Sequence, residues 1–140
     1  MKEPEFVRLL KRYYQKHPRT KAFKIHGNQY QESGIPDLLI CSNGRFIGVE
    51  CKVVKPVKLG SIIRLDTAIS KVQIYRLKEI IGAGGVGKIC VFIHGTDKIL
   101  WYKVDEVKAY LYHDLLEKWD NDNKFHGTFP HSLKKVRMAK

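Results

Sequence analysis

Asp37, Glu50 and Lys52 are the residues of this chain whose types and spacing could do chemistry. Two apolar runs lie between the acids, Leu38-Leu39-Ile40-Cys41 and Phe46-Ile47-Gly48-Val49, and Asn43-Gly44 lies between the runs. Asn-Gly in that setting signals a type I′ hairpin, because both central residues of such a turn need positive φ. A two-residue turn pairs Ser42 with Arg45, Ile40 with Ile47 and Leu38 with Val49, and so predicts Asp37 opposite Glu50. Residues paired across strands share a face, with Cβ atoms about 4.5–5.5 Å apart. Lys52, two positions beyond Glu50, falls on that face as well. Gly48 is predicted beside the acids, its missing side chain leaving room for a ligand. The other face, with Leu38, Ile40, Ile47, Val49 and Cys51, should pack against helices.

Two carboxylates so close repel each other unless a proton or a cation lies between them. Oxygen ligands suit Mg²⁺ or Mn²⁺, ions that polarise a phosphoryl oxygen and activate a bound water. Lys52 would then orient the water, act as base, or hold charge developing on a phosphate. The competing account is an exposed hairpin decorated by ordinary ion pairs, each contributing at most ~1 kcal/mol. The apolar character of the hairpin weighs against it, since a central strand does not keep unpaired charge without reason.

The elements that must hold these residues can be read along the chain. Pro4 suits the first turn of a helix reaching Lys16, with Phe6, Leu9, Leu10, Tyr13 and Tyr14 on its apolar face. A strand is predicted over 22–30, interrupted near Gly27. Residues 53–69 read as a loop. Ser70 and Gln73 have the spacing of a capping box, opening a helix that stops at Gly82. Strands follow over 89–93 and 99–104, then a third helix capped by Asp105 and ending near Trp119, then a mostly irregular tail. The order α-β-β-β-α-β-β-α predicts an α/β fold with a central mixed sheet. The 140 residues suit a single domain, 1–140, with a core over about 3–104 and a helix and tail over 105–140.

Lys and Arg total 26 against 14 Asp and Glu, a net charge of +12. The excess attracts a polyanion at long range, which makes nucleic acid the expected partner. The basic residues fall in three groups: Arg8, Lys11, Arg12, Lys16, Arg19, Lys21 and Lys24; Lys52, Lys55, Lys58 and Arg64; and Lys134, Lys135, Arg137 and Lys140. No apolar run suits a membrane span and no segment resembles a signal peptide, so membrane association is not expected and a cytoplasmic location is. Cys41, Cys51 and Cys90 lack paired spacing; Cys41 and Cys51, inside apolar runs, are expected to be buried free thiols.

Gly34-Ile35-Pro36-Asp37 followed by Glu50-Cys51-Lys52 resembles the PD-(D/E)XK nuclease signature. With the short hairpin and the helical Gln73, it is similar more narrowly to the VRR-NUC branch, which occurs in stand-alone phage nucleases and DNA-repair nucleases. The resemblance covers about residues 3–95. It implies a PD-(D/E)XK nuclease-like αβββαβ core and Mg²⁺- or Mn²⁺-dependent endonuclease action on DNA, in a bacterial or phage-infected cell. It further implies Asp37 and Glu50 as metal ligands with the Cys51 carbonyl, and Lys52 as catalytic. A helical Glu also faces the metal in that family: Glu5 is the choice here and Glu3 the alternative, either of which would equally favour a helix N-terminus. Gln73 matches the family's helical Gln, beside its capping role. Lys24 is a candidate for backbone contact and His26 a weaker one; Tyr30 could stack on a base. A preference for branched DNA, and a homodimer meeting a two-fold junction, rest on analogy alone.

Gly82-Ala83-Gly84-Gly85-Val86-Gly87-Lys88 fits the spacing of a nucleotide-binding P-loop. Its predicted order is helix, loop, strand, whereas a P-loop needs strand, loop, helix, and Ile89 stands where a Ser or Thr should bind magnesium. No nucleotide cofactor is expected. The rivals to a DNase are a non-catalytic binding module on the same scaffold and an RNase.

Overall fold

The computed structural model describes residues 1–25, 33–124 and 127–138. Helix α1 spans Glu3–Gln15 and buries Phe6, Val7, Leu10, Tyr13 and Tyr14, the i, i+3, i+4 stripe that a helix lays on a sheet. Strand β1 (Thr20–Lys24) precedes the hairpin of β2 (Leu38–Ser42) and β3 (Arg45–Val54). Asn43 and Gly44 have φ of 52° and 80°, and the register runs from Ser42↔Arg45 to Leu38↔Val49 as the turn dictates. The rest of the strand expected over 22–30, with His26 and Tyr30, lies outside the described residues.

Residues 53–69 depart from the expected loop. Strand β3 continues to Val54, and then come β4 (Ile62–Arg64) and a single helical turn, α2 (Leu65–Ala68). Helix α3 (Lys71–Gly82) leads into β5 (Val86–Ile93) and β6 (Ile99–Tyr102). The helix expected from Asp105 is shorter than its pattern suggested. A 3-10 turn (Val104–Glu106) and strand β7 (Ala109–Leu111) come first, and α4 spans Tyr112–Asp122. β7 pairs with β4 through Ile62↔Leu111, Ile63↔Tyr110 and Arg64↔Ala109, so cross-strand pairing overrides the local helical pattern. Helix α5 (Leu133–Met138) closes the described chain.

The main sheet has the order β1-β2-β3-β5-β6. Every pairing is antiparallel except the central one, β3 with β5, which is parallel. A parallel pair needs a long crossover, and the segment carrying β4, α2 and α3 supplies it. Both faces are covered. Ile47, Val49 and Cys51 join Cys90, Phe92 and the buried face of α1 in one core, where Phe6 stacks on Phe92 at 5.2 Å between ring centroids. Ile89, Val91, Ile93, Leu100 and Tyr102 pack with Leu77 and Leu115 in the other.

The C-terminal residues are not the irregular tail their composition suggests. Leu133 and Val136 enter the α1-side core, and the Trp101 indole N–H donates to the Pro130 carbonyl at 2.7 Å. Two further expectations are corrected. Cys41 is exposed, because β1 and β2 leave that face uncovered there, while Cys51 and Cys90 are buried. Gly48 opens no ligand space: a Cβ there would lie 2.5 Å from Ile80 Cδ1 and 3.3 Å from Pro36 Cγ, so the glycine admits α3 to the sheet. The order α3, loop, β5 is opposite to a P-loop, and the Lys88 ammonium lies 5.4 Å from the Phe129 ring centroid.

Gly34 has φ of +77°, and a Cβ there would stand 2.5 Å from Val72 Cγ1 and 2.8 Å from the Val72 carbonyl carbon. Gly44 has φ of +80° with nothing within 4 Å of such an atom. Gly34→Ala should therefore lower stability by about 2–4 kcal/mol, strain and overpacking together, and Gly44→Ala by about 1–2 kcal/mol from strain alone. Urea denaturation of both variants checks the difference; equal losses would show that Gly34 is not clamped against α3.

Candidate active site

The site forms where β3 outruns β2. Their register ends at Leu38↔Val49, while β3 continues to Val54, so among the described residues no strand flanks β3 on that side beyond Val49. Its exposed N–H groups need acceptors. Asp37 Oδ2 accepts from the Cys51 N–H at 2.9 Å, and the Glu3 carboxylate accepts from the Val53 N–H. Side chains thus continue the ladder that β2 abandons. Peptide groups alternate sides along a strand, so the Cys51 carbonyl leaves by the same edge as its N–H.

Glu50 lies between these acids on the face covered by α3 and is 1% exposed. Its Oε1 accepts from Gln73 Nε2 at 2.9 Å. Its Oε2 is buried without a hydrogen-bond partner. Burial raises the Glu50 carboxyl pKa to about 9, with the neighbouring Asp37 carboxylate adding to the rise, against an opposing pull from Lys52. Glu3 is raised by burial too, with Lys52 lowering it and Asp37 raising it. Lys52 Nζ stands 3.9 Å from Glu3 Oε1. One ammonium therefore faces Glu3 and Glu50.

Gln73 both caps α3 and reaches Glu50. Ser70 Oγ accepts from the Gln73 backbone N–H at 3.1 Å and Gln73 Oε1 accepts from the Ser70 N–H at 2.8 Å, which is the capping box. That leaves the amide nitrogen free to aim at Glu50. The helix glutamate differs from the first choice: Glu3 meets Lys52, and Glu5 is exposed. Two helical positions are about 200° apart, so the pair cannot share a face. Glu3 continues the stripe Val7, Leu10, Tyr14 back by one turn, and that spacing is the signal that distinguishes the two. Lys24 pairs with Leu38, next to Asp37.

The donor set fits a hard divalent cation. Carboxylate oxygens and a carbonyl converge around a buried oxygen that has no partner, and a cation can satisfy that oxygen where a proton otherwise must. The exposed residues His113, Asp114 and Glu117 on α4 also gather, with ligand atoms within 4.8 Å of one another. That trio is on one helical surface without a buried orphan atom, and nothing else there points to a ligand.

No protein-family model matches the chain, and no curated protein matches it. Among solved structures it is similar to Archaeoglobus fulgidus Hjc, a Holliday junction resolvase from an archaeal hyperthermophile. The TM-score is 0.55 and the identity 15%, over 80% of this chain and 92% of that one. The likeness is one of fold: a mixed sheet flanked by helices, as in a resolvase nuclease.

A raised carboxyl pKa means that the folded state binds a proton more tightly than the unfolded chain. Its contribution is full below about pH 4.5 and is lost as pH rises towards about 9. Without divalent cation, stability should fall across that window by on the order of a few kcal/mol. Glu50→Gln should flatten the fall. Thermal melts in EDTA from pH 5 to 9 test this; parallel curves for the two proteins would remove Glu50 as the cause.

Proposed function

We propose that this chain is a Mg²⁺- or Mn²⁺-dependent endodeoxyribonuclease of the PD-(D/E)XK kind, in its VRR-NUC branch, acting on branched duplex DNA. The observation that carries the reading is the convergence of Asp37, Glu50 and Lys52 on the open end of β3, with a buried Glu50 oxygen left without a partner. The resolvase fold supports it, as does a net charge of +12.

Asp37, Glu50 and the Cys51 carbonyl would hold the ion, with Glu3 beside them. Bound there, it would supply Lewis-acid polarisation of a phosphoryl oxygen and a water acidic enough to attack phosphorus. The chain's own residues have distinct tasks. Asp37 is fixed by the Cys51 N–H, so one of its oxygens is committed and the other is aimed. Gln73 holds Glu50 by Oε1 and thereby orients Oε2; it is a positioning residue. Lys52 places positive charge where a scissile phosphate gains negative charge, and its ion pair with Glu3 sets the ammonium's position. In-line attack would leave a 5′-phosphate and a 3′-hydroxyl.

DNA would approach over exposed basic residues. Arg8 and Arg12 on α1, with Lys16, Arg19 and Lys21, are exposed, as are Lys134, Lys135 and Arg137 on α5. α1 and α5 lie on the same side of the sheet, so the basic residues of these two helices form one flank; Lys140 lies outside the described residues. Lys55 and Lys58 follow the catalytic strand directly. A homodimer would present two such sites to a two-fold junction.

Asp37→Ala and Lys52→Ala should each lower cutting of a four-way junction by at least about 10³-fold with Mg²⁺ or Mn²⁺. Folding should be retained. Gln73→Ala should cost about 10–100-fold, as loss of a supporting hydrogen bond does, and should weaken the Mg²⁺ dependence of the melting temperature. A panel of linear duplex, flap, splayed arm, four-way junction, single strand and matched RNA at fixed ionic strength sets the substrate class. Binding without metal-dependent cutting of any substrate would overturn the enzyme reading.

A further inference from the structure

The segment that follows the catalytic strand exposes apolar side chains without a packing reason. Val57 is 92% exposed, Leu59 57% and Ile62 62%. Ile62 pairs with Leu111, itself 46% exposed, so these two present one apolar face. Single exposed apolar residues are ordinary; a group on one projection marks a contact surface. Lys55, Lys58 and Arg64 are interleaved with them, and no acid occurs between residues 55 and 64.

The projection is built in a fixed shape. Ser61 Oγ accepts from the Val57 and Lys58 N–H groups at 3.3 and 3.1 Å. The Ser61 N–H donates to the Lys58 carbonyl at 2.9 Å, the Ser61 carbonyl accepts from the Tyr112 N–H at 2.9 Å, and the Leu59 carbonyl accepts from the His113 N–H at 3.3 Å. Ile63 and Leu65, which are buried, anchor the far side. The nearby acids of α4 are engaged locally: Asp114 accepts from the Leu111 N–H at 3.2 Å and Glu117 stands 3.5 Å from His113. A preorganised apolar tip meets its partner with little ordering cost.

We propose that Val57 and Leu59 form a wedge that enters the base stack of DNA at a branch point, with Lys55 and Lys58 gripping the flanking phosphates. This rests on the nuclease reading above and adds how the substrate is chosen. Val57 lies five positions after Lys52, a reach of at most about 18 Å. That is about five nucleotide steps of 3.4 Å, so the tip stays beside the bond being cut. Alternating apolar and basic groups match what an opened junction offers, unstacked base faces bordered by phosphate. An apolar side chain driven between base steps costs unstacking energy, and that cost is smallest where the stack is already interrupted. The wedge thus favours branches over continuous duplex.

The test compares wild type with Val57→Ser/Leu59→Ser, whose side chains are exposed and leave folding intact. In EDTA, with a four-way junction carrying 2-aminopurine at the branch, wild type should raise the fluorescence severalfold and the double variant should not. With Mg²⁺ or Mn²⁺, the ratio of cutting on the closed junction to cutting on a pre-opened flap should fall about tenfold in the variant. Equal brightening by both proteins, or an unchanged ratio, would overturn the wedge while leaving the nuclease reading in place. Cutting of no substrate by wild type would remove the nuclease reading, and the fluorescence would still decide the wedge. Binding to phosphatidylglycerol vesicles that needs Val57 and Leu59, without brightening of the junction, would overturn it in favour of a lipid surface.

Discussion

The site depends on a mismatch in strand length. Among the described residues β3 has a strand partner on its β2 side only as far as Val49, and it continues for five residues more. Backbone donors on that edge must be satisfied, and an orphaned buried N–H costs as much as a lost hydrogen bond. Asp37 and Glu3 satisfy them with carboxylates rather than carbonyls. The geometric repair of a sheet edge therefore concentrates negative charge, and Glu50, on the next face of the same strand, is buried within reach of it. The frustration of Glu50 follows: it carries a proton near neutral pH unless a cation takes that place.

Helix α3 keeps these groups in register. Its first turn is capped by Ser70, and the same glutamine that completes the cap holds Glu50. Gly34 rests against Val72, and Arg76 donates to the Ser33 carbonyl at 3.1 Å. The segment leading to Asp37 is thus fastened to the helix that positions Glu50. Gly48 allows the helix to sit that low on the sheet. A shift of α3 would move Asp37 and Glu50 relative to each other, which is how a structural helix comes to govern the spacing of the acids.

The hairpin was legible in the sequence because Asn43-Gly44 and strict alternation specify both the turn and the register, and a slip of one residue would turn the core face to the acid side. α1, α3 and the order of the central strands were legible for a similar reason: each has a local start or stop signal and a continuous apolar stripe. Residues 105–122 were not, since Tyr110 and Leu111 are drawn into a ribbon with Ile62 and Ile63, a partner nearly fifty residues away that no local pattern announces. The docking of Leu133 and Val136 was hidden in the same way by basic neighbours. Glu3 against Glu5 was a missed inference. The stripe Glu3, Val7, Leu10, Tyr14 was present in the spacing, and it became visible only when Glu3 was counted as part of the buried face. Gly48 misled because an absent side chain in a strand makes room for a neighbouring helix as readily as for a ligand.

The distribution of charge brings these features together. The chain as a whole carries +12, a field that draws phosphate towards it. At the open end of β3 the balance shifts, with Glu3, Asp37 and Glu50 gathered near Lys52. A phosphodiester attracted by the surface would be repelled by the acids at short range, where screening is weakest. A site of this sign inside a surface of the opposite sign has a physical use when a cation joins the two anions. The carboxylates then become its ligands and the phosphate its counter-charge.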